Sequence, residues 1–223
     1  MPQPVSALLL DLDGTLVDSE PRHFRAHELF LKRQGITVTE DDLLGNIGKG
    51  DREFFTLLAE RHGLSVDIPA WVTAKTEALL EIYRSEPLPR QPGVDALLDH
   101  ARAEGIACCI VTSSERRVAE AALASAGLAQ RLPMRVCRED TPRHKPDPGP
   151  YQLAAARLAL PPTSCLVIED SVSGVRAAVA AGIATVGFAG LIPAAALRAA
   201  GAYRAISDHH ALLPLAQARD VNE

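Results

Sequence analysis

Short apolar runs recur along this chain, each followed by sequence of helical spacing, and this alternation constrains its fold more than any other feature. The runs are Val5 to Leu10, Ile106 to Val111, Met134 to Cys137, Leu166 to Ile168 and Thr185 to Phe188. Strands that are apolar at successive positions are buried on both faces, and strands alternating with helices build a parallel sheet covered on either side. Two crossover helices are legible. Val94 to Glu104 and Arg116 to Ala126 repeat apolar residues at helical spacing and stop at Gly105 and Gly127, which suit helix C-termini. The alanine-rich Ala154 to Ala159 and Ala194 to Ala200 also suit helices. The expected class is α/β, with a doubly wound parallel sheet.

The interval between the first two strands breaks the rhythm. Val17 to Pro89 holds helical patterns at His23 to Gln34, Asp51 to His62 and Pro69 to Arg84, with no convincing strand. Turn-like Gly35-Ile36, glycine-rich Gly45 to Gly50 and Gly63 to Asp67 separate them. This is too long for a single crossover. It reads as a helical domain inserted through connections near Leu16 to Glu20 and Glu86 to Pro92; helices that merely extend the core are the alternative. The expected division is residues 1–16 with 90–223 as the α/β core and residues 17–89 as the insert.

Composition narrows the function. At 47% apolar and 23% charged residues, the chain can bury a sizeable core. A net charge of −5 offers no broad basic surface to a polyphosphate, so nucleic acid is a poor partner and any phosphate site must be local. Val5 to Leu10 is too short for a membrane span or a signal core. No membrane association, a cytoplasmic location and a monomer or small homo-oligomer are expected. Cys108, Cys109, Cys137 and Cys165 lie in apolar stretches without metal-ligand spacing, and read as inert buried thiols.

The residues suited to chemistry sit where strands end. Asp11 and Asp13 are two apart at the C-terminal end of the first run, so period-two geometry points both the same way, at the edge where open parallel sheets bind ligands. Gly14 permits a sharp turn with positive φ, after which amides can face a phosphate. Thr112, Ser113 and Ser114 follow the second run and offer hydroxyls and amides to a phosphoryl oxygen; capping the next helix is the competing reading. Lys145 lies in Arg143-His144-Lys145-Pro146-Asp147-Pro148 and is either a solvated charge or a cation beside the carboxylates. Glu169 and Asp170 end another strand. Brought near Asp11, Asp170 would help give a hard cation such as magnesium its oxygen ligands, although an acidic pair can also cap a helix.

In their order, these segments resemble the haloacid dehalogenase-like hydrolases. Asp11-Leu12-Asp13-Gly14-Thr15 matches the first motif, Thr112 the second, Lys145 the third, and Glu169-Asp170 with Gly174, Ala177, Ala178, Ala181 and Gly182 the fourth. The resemblance covers nearly the whole chain. It implies a Rossmann-like core with an α-helical cap inserted between the first two motifs, Asp11 as nucleophile, and Asp13 as general acid and base. It also implies Mg2+ as cofactor, held by Asp11, Asp170, the backbone carbonyl of Asp13, and Glu169 directly or through water. Gly14, Thr15, Ser113 and Ser114 would line the phosphate.

The insert would choose the leaving group. His23-Phe24-Arg25-Ala26 resembles the hinge-side segment of the β-phosphoglucomutase-like subgroup, which makes His23 a candidate to position or relay a proton to Asp13, against a purely structural histidine. Lys49 and Arg52, in the segment Gly48 to Arg52, and Lys75 are candidates for substrate contact or are solvent-facing charges. The leading expectation is a magnesium-dependent phosphatase acting on a small phosphorylated metabolite, with a sugar phosphate foremost, through an aspartyl-phosphate. A β-phosphoglucomutase-like phosphotransferase is the alternative, favoured by His23 and Lys75, whereas Thr15 and the imperfect cap loop favour hydrolysis. A dehalogenase would not need Asp13, a phosphonoacetaldehyde hydrolase would replace it, and a non-catalytic phosphate-binding protein would usually lack part of this acidic set.

Overall fold

The computed structural model describes residues 5–39, 42 and 50–213. By chain contacts it divides into two compact units, Met1–Asp18 with Leu88–Glu223, and Ser19–Pro87. The described helices are α1 (Glu20–Arg33), α2 (Asp51–His62), α3 (Ile68–Ser85), α4 (Val94–Ala103), α5 (Arg116–Ser125), α6 (Gly149–Arg157), α7 (Val172–Ala180) and α8 (Ala194–Ala199). Among the described residues no helix is long and apolar enough to cross a membrane.

The larger unit carries a six-stranded sheet of β1 (Ala7–Leu10), β2 (Ala107–Val111), β3 (Arg135–Val136), β4 (Cys165–Glu169), β5 (Ala184–Phe188) and β6 (Arg204–Ile206). Its order is β3-β2-β1-β4-β5-β6, and every pair is parallel. Ala7, Leu8, Leu9 and Leu10 are all 0% exposed, as a central strand covered on both faces requires. Burying each leucine contributes about 1.5–3 kcal/mol. Tyr151 and Ala154 of α6 and Ala177 and Ala178 of α7 pack with Leu9, Val111 and Val167. From β1 the chain moves outward to β2 and β3, then returns to pair β4 with the other side of β1. The strand order therefore reverses at β1 and β4, and their carboxyl ends flank the crevice where such sheets bind ligands. Leu10 stands opposite both Ile110 and Ile168 in register, which brings three strand ends level.

The smaller unit has its own apolar core. Phe30 and Phe55 pack edge-on at 5.5 Å, and Trp71 meets Phe30 at 5.4 Å and Phe55 at 5.6 Å. Leu31, Phe54 and Leu58 complete the cluster.

Local departures from the sequence reading have local causes. Strand β6, absent from that reading, is Arg204-Ala205-Ile206 and lacks an apolar run. Helix α6 stops at Arg157 instead of running to Ala159, because Ala159 takes φ 55° and leaves the helical region. Gly105 and Gly127 each take φ 67°, the left-handed conformation expected just beyond a helix end. All four cysteines are free; Cys109, Cys137 and Cys165 are buried and Cys108 is half-buried. Burial pushes the thiols of Cys108 and Cys109 up to about 11 and about 12, which keeps them protonated and unreactive at neutral pH.

Candidate active site

Asp11 leaves β1 with its N–H donating to Ile168 O at 3.1 Å, and the chain then turns back on itself. Gly14 N–H donates to Val17 O, while the amides of Leu16 and Val17 both donate to Leu12 O. Glycine is needed at position 14 twice over. Its φ is 79°, and a Cβ there would lie 2.1 Å from Asp170 Oδ2. At Gly174 a Cβ would lie 2.0 Å from Glu169 Cδ, so α7 can start beneath that carboxylate only without a side chain.

Lys145 binds the strand ends together. Its Nζ is 2.6 Å from Asp11 Oδ1, 2.6 Å from Glu169 Oε2 and 2.8 Å from Val111 O, with a side-chain exposure of 4%. Tyr151 OH donates to Glu169 Oε2 at 2.6 Å, and Ser171 donates to Glu169 Oε1 from its N–H and from its hydroxyl. Thr15 Oγ1 donates to Asp170 Oδ1 at 3.2 Å, and Ser114 Oγ donates to Asp13 Oδ2 at 2.7 Å.

The electrostatics of this cluster are unbalanced. Burial, then the charge of Glu169, pushes the Asp11 carboxyl up to about 8 despite Lys145. Burial, then Asp11 and Glu169, holds Asp170 well above its ordinary value. Burial acts the same way on Glu169, but the attraction of Lys145 and hydrogen bonds from Lys145, Tyr151 and Ser171 outweigh it and hold this carboxyl below its usual range. Asp11 and Glu169 share one ammonium yet move in opposite directions because Glu169 gathers additional donors. Burial disfavours the Lys145 cation, but Asp11 and Glu169 more than offset this, so it stays charged. Asp11, Glu169 and Asp170 each offer an oxygen, all within 4.8 Å of one another. Three carboxylates facing one ammonium carry excess negative charge in a poorly solvated place, and an all-oxygen donor set fits a hard divalent cation that would neutralise it.

The structure thus gathers Asp11, Lys145, Glu169 and Asp170, with Thr15 on Asp170 and Ser114 on Asp13. Thr112 is 4% exposed, and its Oγ1 accepts from Ser114 N at 3.0 Å within the loop; it does not cap α5, whose N-cap is Glu115 and has no side-chain cap bond. Ser113 is exposed. Tyr151, Ser171 and the Val111 carbonyl were not foreseen. Ser171 caps α7 by accepting from Gly174 N, so its place after an acidic pair was the available signal. Tyr151 reads in sequence as an ordinary core aromatic.

In the smaller unit, Lys75 corrects the alternative reading of a solvent-facing charge. It is 1% exposed, with Nζ 3.0 Å from both carboxylate oxygens of Asp51 and 3.0 Å from His23 Nδ1. An ammonium can only donate, so His23 accepts at Nδ1. His27 Nε2 reaches the same Asp51 at 3.0 Å, and burial holds the His27 pKa below its ordinary value. Burial would raise the Asp51 carboxyl, but the His27 hydrogen bond and the Lys75 charge hold it well below its usual range. Arg52 is exposed; Gly48 and Lys49 lie outside the described residues.

Residues 5–182 match the family model described as Hydrolase: haloacid dehalogenase-like hydrolase. The chain is 32% identical over 180 residues to the Fructose-1-phosphate phosphatase YqaB of Escherichia coli (strain K12), covering 80% of this chain and 93% of the relative. It is 37% identical over 176 residues to Hexitol phosphatase A of the same organism, covering 78% of each. It spans 61% of the length of a CBBY-like protein of Arabidopsis thaliana, to which it is 34% identical over 196 residues, covering 80% of this chain. Among solved structures, CbbY from Rhodobacter sphaeroides in complex with phosphate superposes with a TM-score of 0.82 at 25% identity, covering 94% of this chain and 96% of that one. With its four motifs in order and a family match over most of its length, the chain belongs to the haloacid dehalogenase-like hydrolases. It is an enzyme, a phosphoric monoester hydrolase.

Proposed function

We propose that this protein hydrolyses a small phosphorylated sugar through an aspartyl-phosphate on Asp11, with magnesium as cofactor. The observation that carries the reading is the meeting of Asp11, Glu169 and Asp170 around the buried Lys145 ammonium at the β1 and β4 ends. Relatives named for fructose 1-phosphate and hexitol phosphates support a sugar phosphate as substrate. Asp11, Glu169, Asp170 and the backbone carbonyl of Asp13 are the proposed magnesium ligands. When bound, the cation would offset negative charge on the phosphoryl oxygens.

In the first step Asp11 forms a bond to phosphorus while the bond from phosphorus to the sugar oxygen breaks, and Asp13 gives its proton to that oxygen. In the second step Asp13 takes a proton from water, whose oxygen attacks phosphorus, releasing inorganic phosphate and restoring the Asp11 carboxylate. Ser114 holds Asp13 by the 2.7 Å hydrogen bond. Lys145 keeps Asp11 oriented and supplies positive charge beside it, and Gly14, Thr15, Thr112, Ser113 and Ser114 are proposed to face the phosphoryl group. Asp13→Ala should cost about 10²–10⁴-fold in turnover, the usual worth of a general acid and base. Magnesium affinity, read by calorimetry, should stay close to that of the unsubstituted protein; a loss as large as that in Asp170→Ala would contradict this division of roles.

The unit Ser19–Pro87 is proposed as the cap that selects the leaving group. His23 would position or relay a proton to Asp13, and Lys75 would act through Asp51 and His23 instead of touching substrate. Lys49 and the exposed Arg52 remain the candidate direct contacts. A hydrogen bond to a charged group contributes about 1.5–3 kcal/mol, so Arg52→Ala should lower kcat/KM towards the best sugar phosphate by roughly 10–100-fold. An aryl phosphate should lose almost nothing. Equal, small losses for both substrates would remove Arg52 from substrate selection.

A further inference from the structure

Two side chains remote from the motifs hold the turn that carries Asp13, Gly14 and Thr15. Gln91 Nε2 donates to Gly14 O at 3.1 Å, and His209 Nε2 lies 2.9 Å from Thr15 O. A carbonyl only accepts, so the imidazole carries its proton on Nε2. The two acceptors are consecutive carbonyls of a single turn, and their donors come from 77 and 194 residues away.

His209 is anchored from several directions. It is 0% exposed, and its ring stacks on Phe188 of β5 at 4.6 Å with 17° between planes. Its own N–H donates to Pro92 O at 3.0 Å, and a Cβ on the neighbouring Gly93 would lie 2.5 Å from Asp208 Oδ1. Its Nδ1 is buried with no hydrogen-bond partner among the described residues. A side chain needed for packing alone would be better served by phenylalanine, which buries no polar nitrogen. The imidazole at this place therefore points to a need for the Nε2 donor.

The two tethered carbonyls belong to the peptide planes on either side of Thr15. Fixing both planes fixes the backbone dihedrals of Thr15 and hence the direction of its Cα–Cβ bond. That side chain ends in the hydroxyl that donates to Asp170 Oδ1 at 3.2 Å. We propose that His209 and Gln91 are positioning residues that aim the Thr15 hydroxyl at Asp170 and so hold this carboxylate ready for a divalent cation. This rests on the magnesium-dependent reading of the site.

The test uses the full chain with magnesium alone as ligand, followed by calorimetry, and with an aryl phosphate for turnover. His209→Phe keeps the ring and its stacking but removes the donor, whereas His209→Gln returns an amide N–H near the position of Nε2. Groups supporting metal ligands typically contribute about 10–100-fold in affinity or activity. His209→Phe is expected to weaken magnesium binding by about tenfold, with a matching rise in the magnesium needed for half-maximal turnover. His209→Gln should restore both most of the way, and Gln91→Leu should shift both in the direction of His209→Phe. Equal behaviour of the Phe and Gln variants, both folded by circular dichroism, would overturn the proposal. Should His209→Phe fail to fold, unchanged magnesium binding in Gln91→Leu would overturn it alone. An unsubstituted protein that binds no magnesium would instead remove the reading on which the proposal stands, and the proposal with it.

Discussion

Asp11→Asn is expected to lower turnover of any phosphate ester by at least about 10⁴-fold, since removing a nucleophile costs enzymes that much or more, while the protein stays folded. An amide cannot displace the leaving oxygen to form an acyl phosphate. The folded state should survive because the Asp11 carboxyl is itself costly there. Its pKa is pushed up to about 8, mainly by burial and then by Glu169. A carboxyl with a higher pKa folded than unfolded binds its proton more tightly in the folded protein, so its ionisation works against folding as pH rises from its unfolded value to about 8. A neutral amide escapes that cost and offsets the lost bond to Lys145. Steady-state turnover and circular dichroism measure the two halves of this expectation. Activity within tenfold of the unsubstituted protein would contradict it.

Lys145→Ala should do the opposite to stability. This ammonium touches Asp11, Glu169 and the Val111 carbonyl within 2.8 Å, and its side chain is 4% exposed. Its removal leaves the buried Glu169 carboxylate without its counter-ion, a loss of about 3–5 kcal/mol. For a chain of this size that corresponds to a fall in Tm of roughly 6–20 °C. Turnover should also drop by about 10²–10³-fold, as it does when one preorganised stabiliser of developing charge is lost. Thermal unfolding in a metal chelator isolates the first effect. A change of under about 1 kcal/mol, the usual worth of an exposed ion pair, would mean that Lys145 is solvated in the protein.

The core was legible because its signals are local. Continuous apolar runs marked β1, β2, β4 and β5 to within a residue or two, and Gly105 and Gly127 marked helix ends. Strand β6 was not legible: three residues, two of them arginine and alanine, earn their place by pairing with β5 and carry no pattern of their own. The strand-end positions of Asp11, Glu169 and Asp170, and the loop position of Lys145, followed from motif order, but the partners that tune them did not. Tyr151 and the Val111 carbonyl act through backbone and side-chain proximity that spacing along the chain does not encode. Lys75 illustrates the same limit. A lysine on a helix reads as solvated, yet Asp51 and His23 bury it, and the sequence offers no sign of that pairing.

The central claim is a phosphoryl group carried on Asp11, and it can be read directly. The unsubstituted protein would be quenched in acid during turnover of an aryl phosphate, digested, and the peptide spanning Leu8 to Thr15 weighed. A fraction of that peptide should carry one phosphoryl group located on Asp11 when magnesium is present, and none when a chelator replaces it. Rapid magnesium-dependent turnover with the peptide unmodified throughout, or with the phosphoryl group on another residue, would contradict the account.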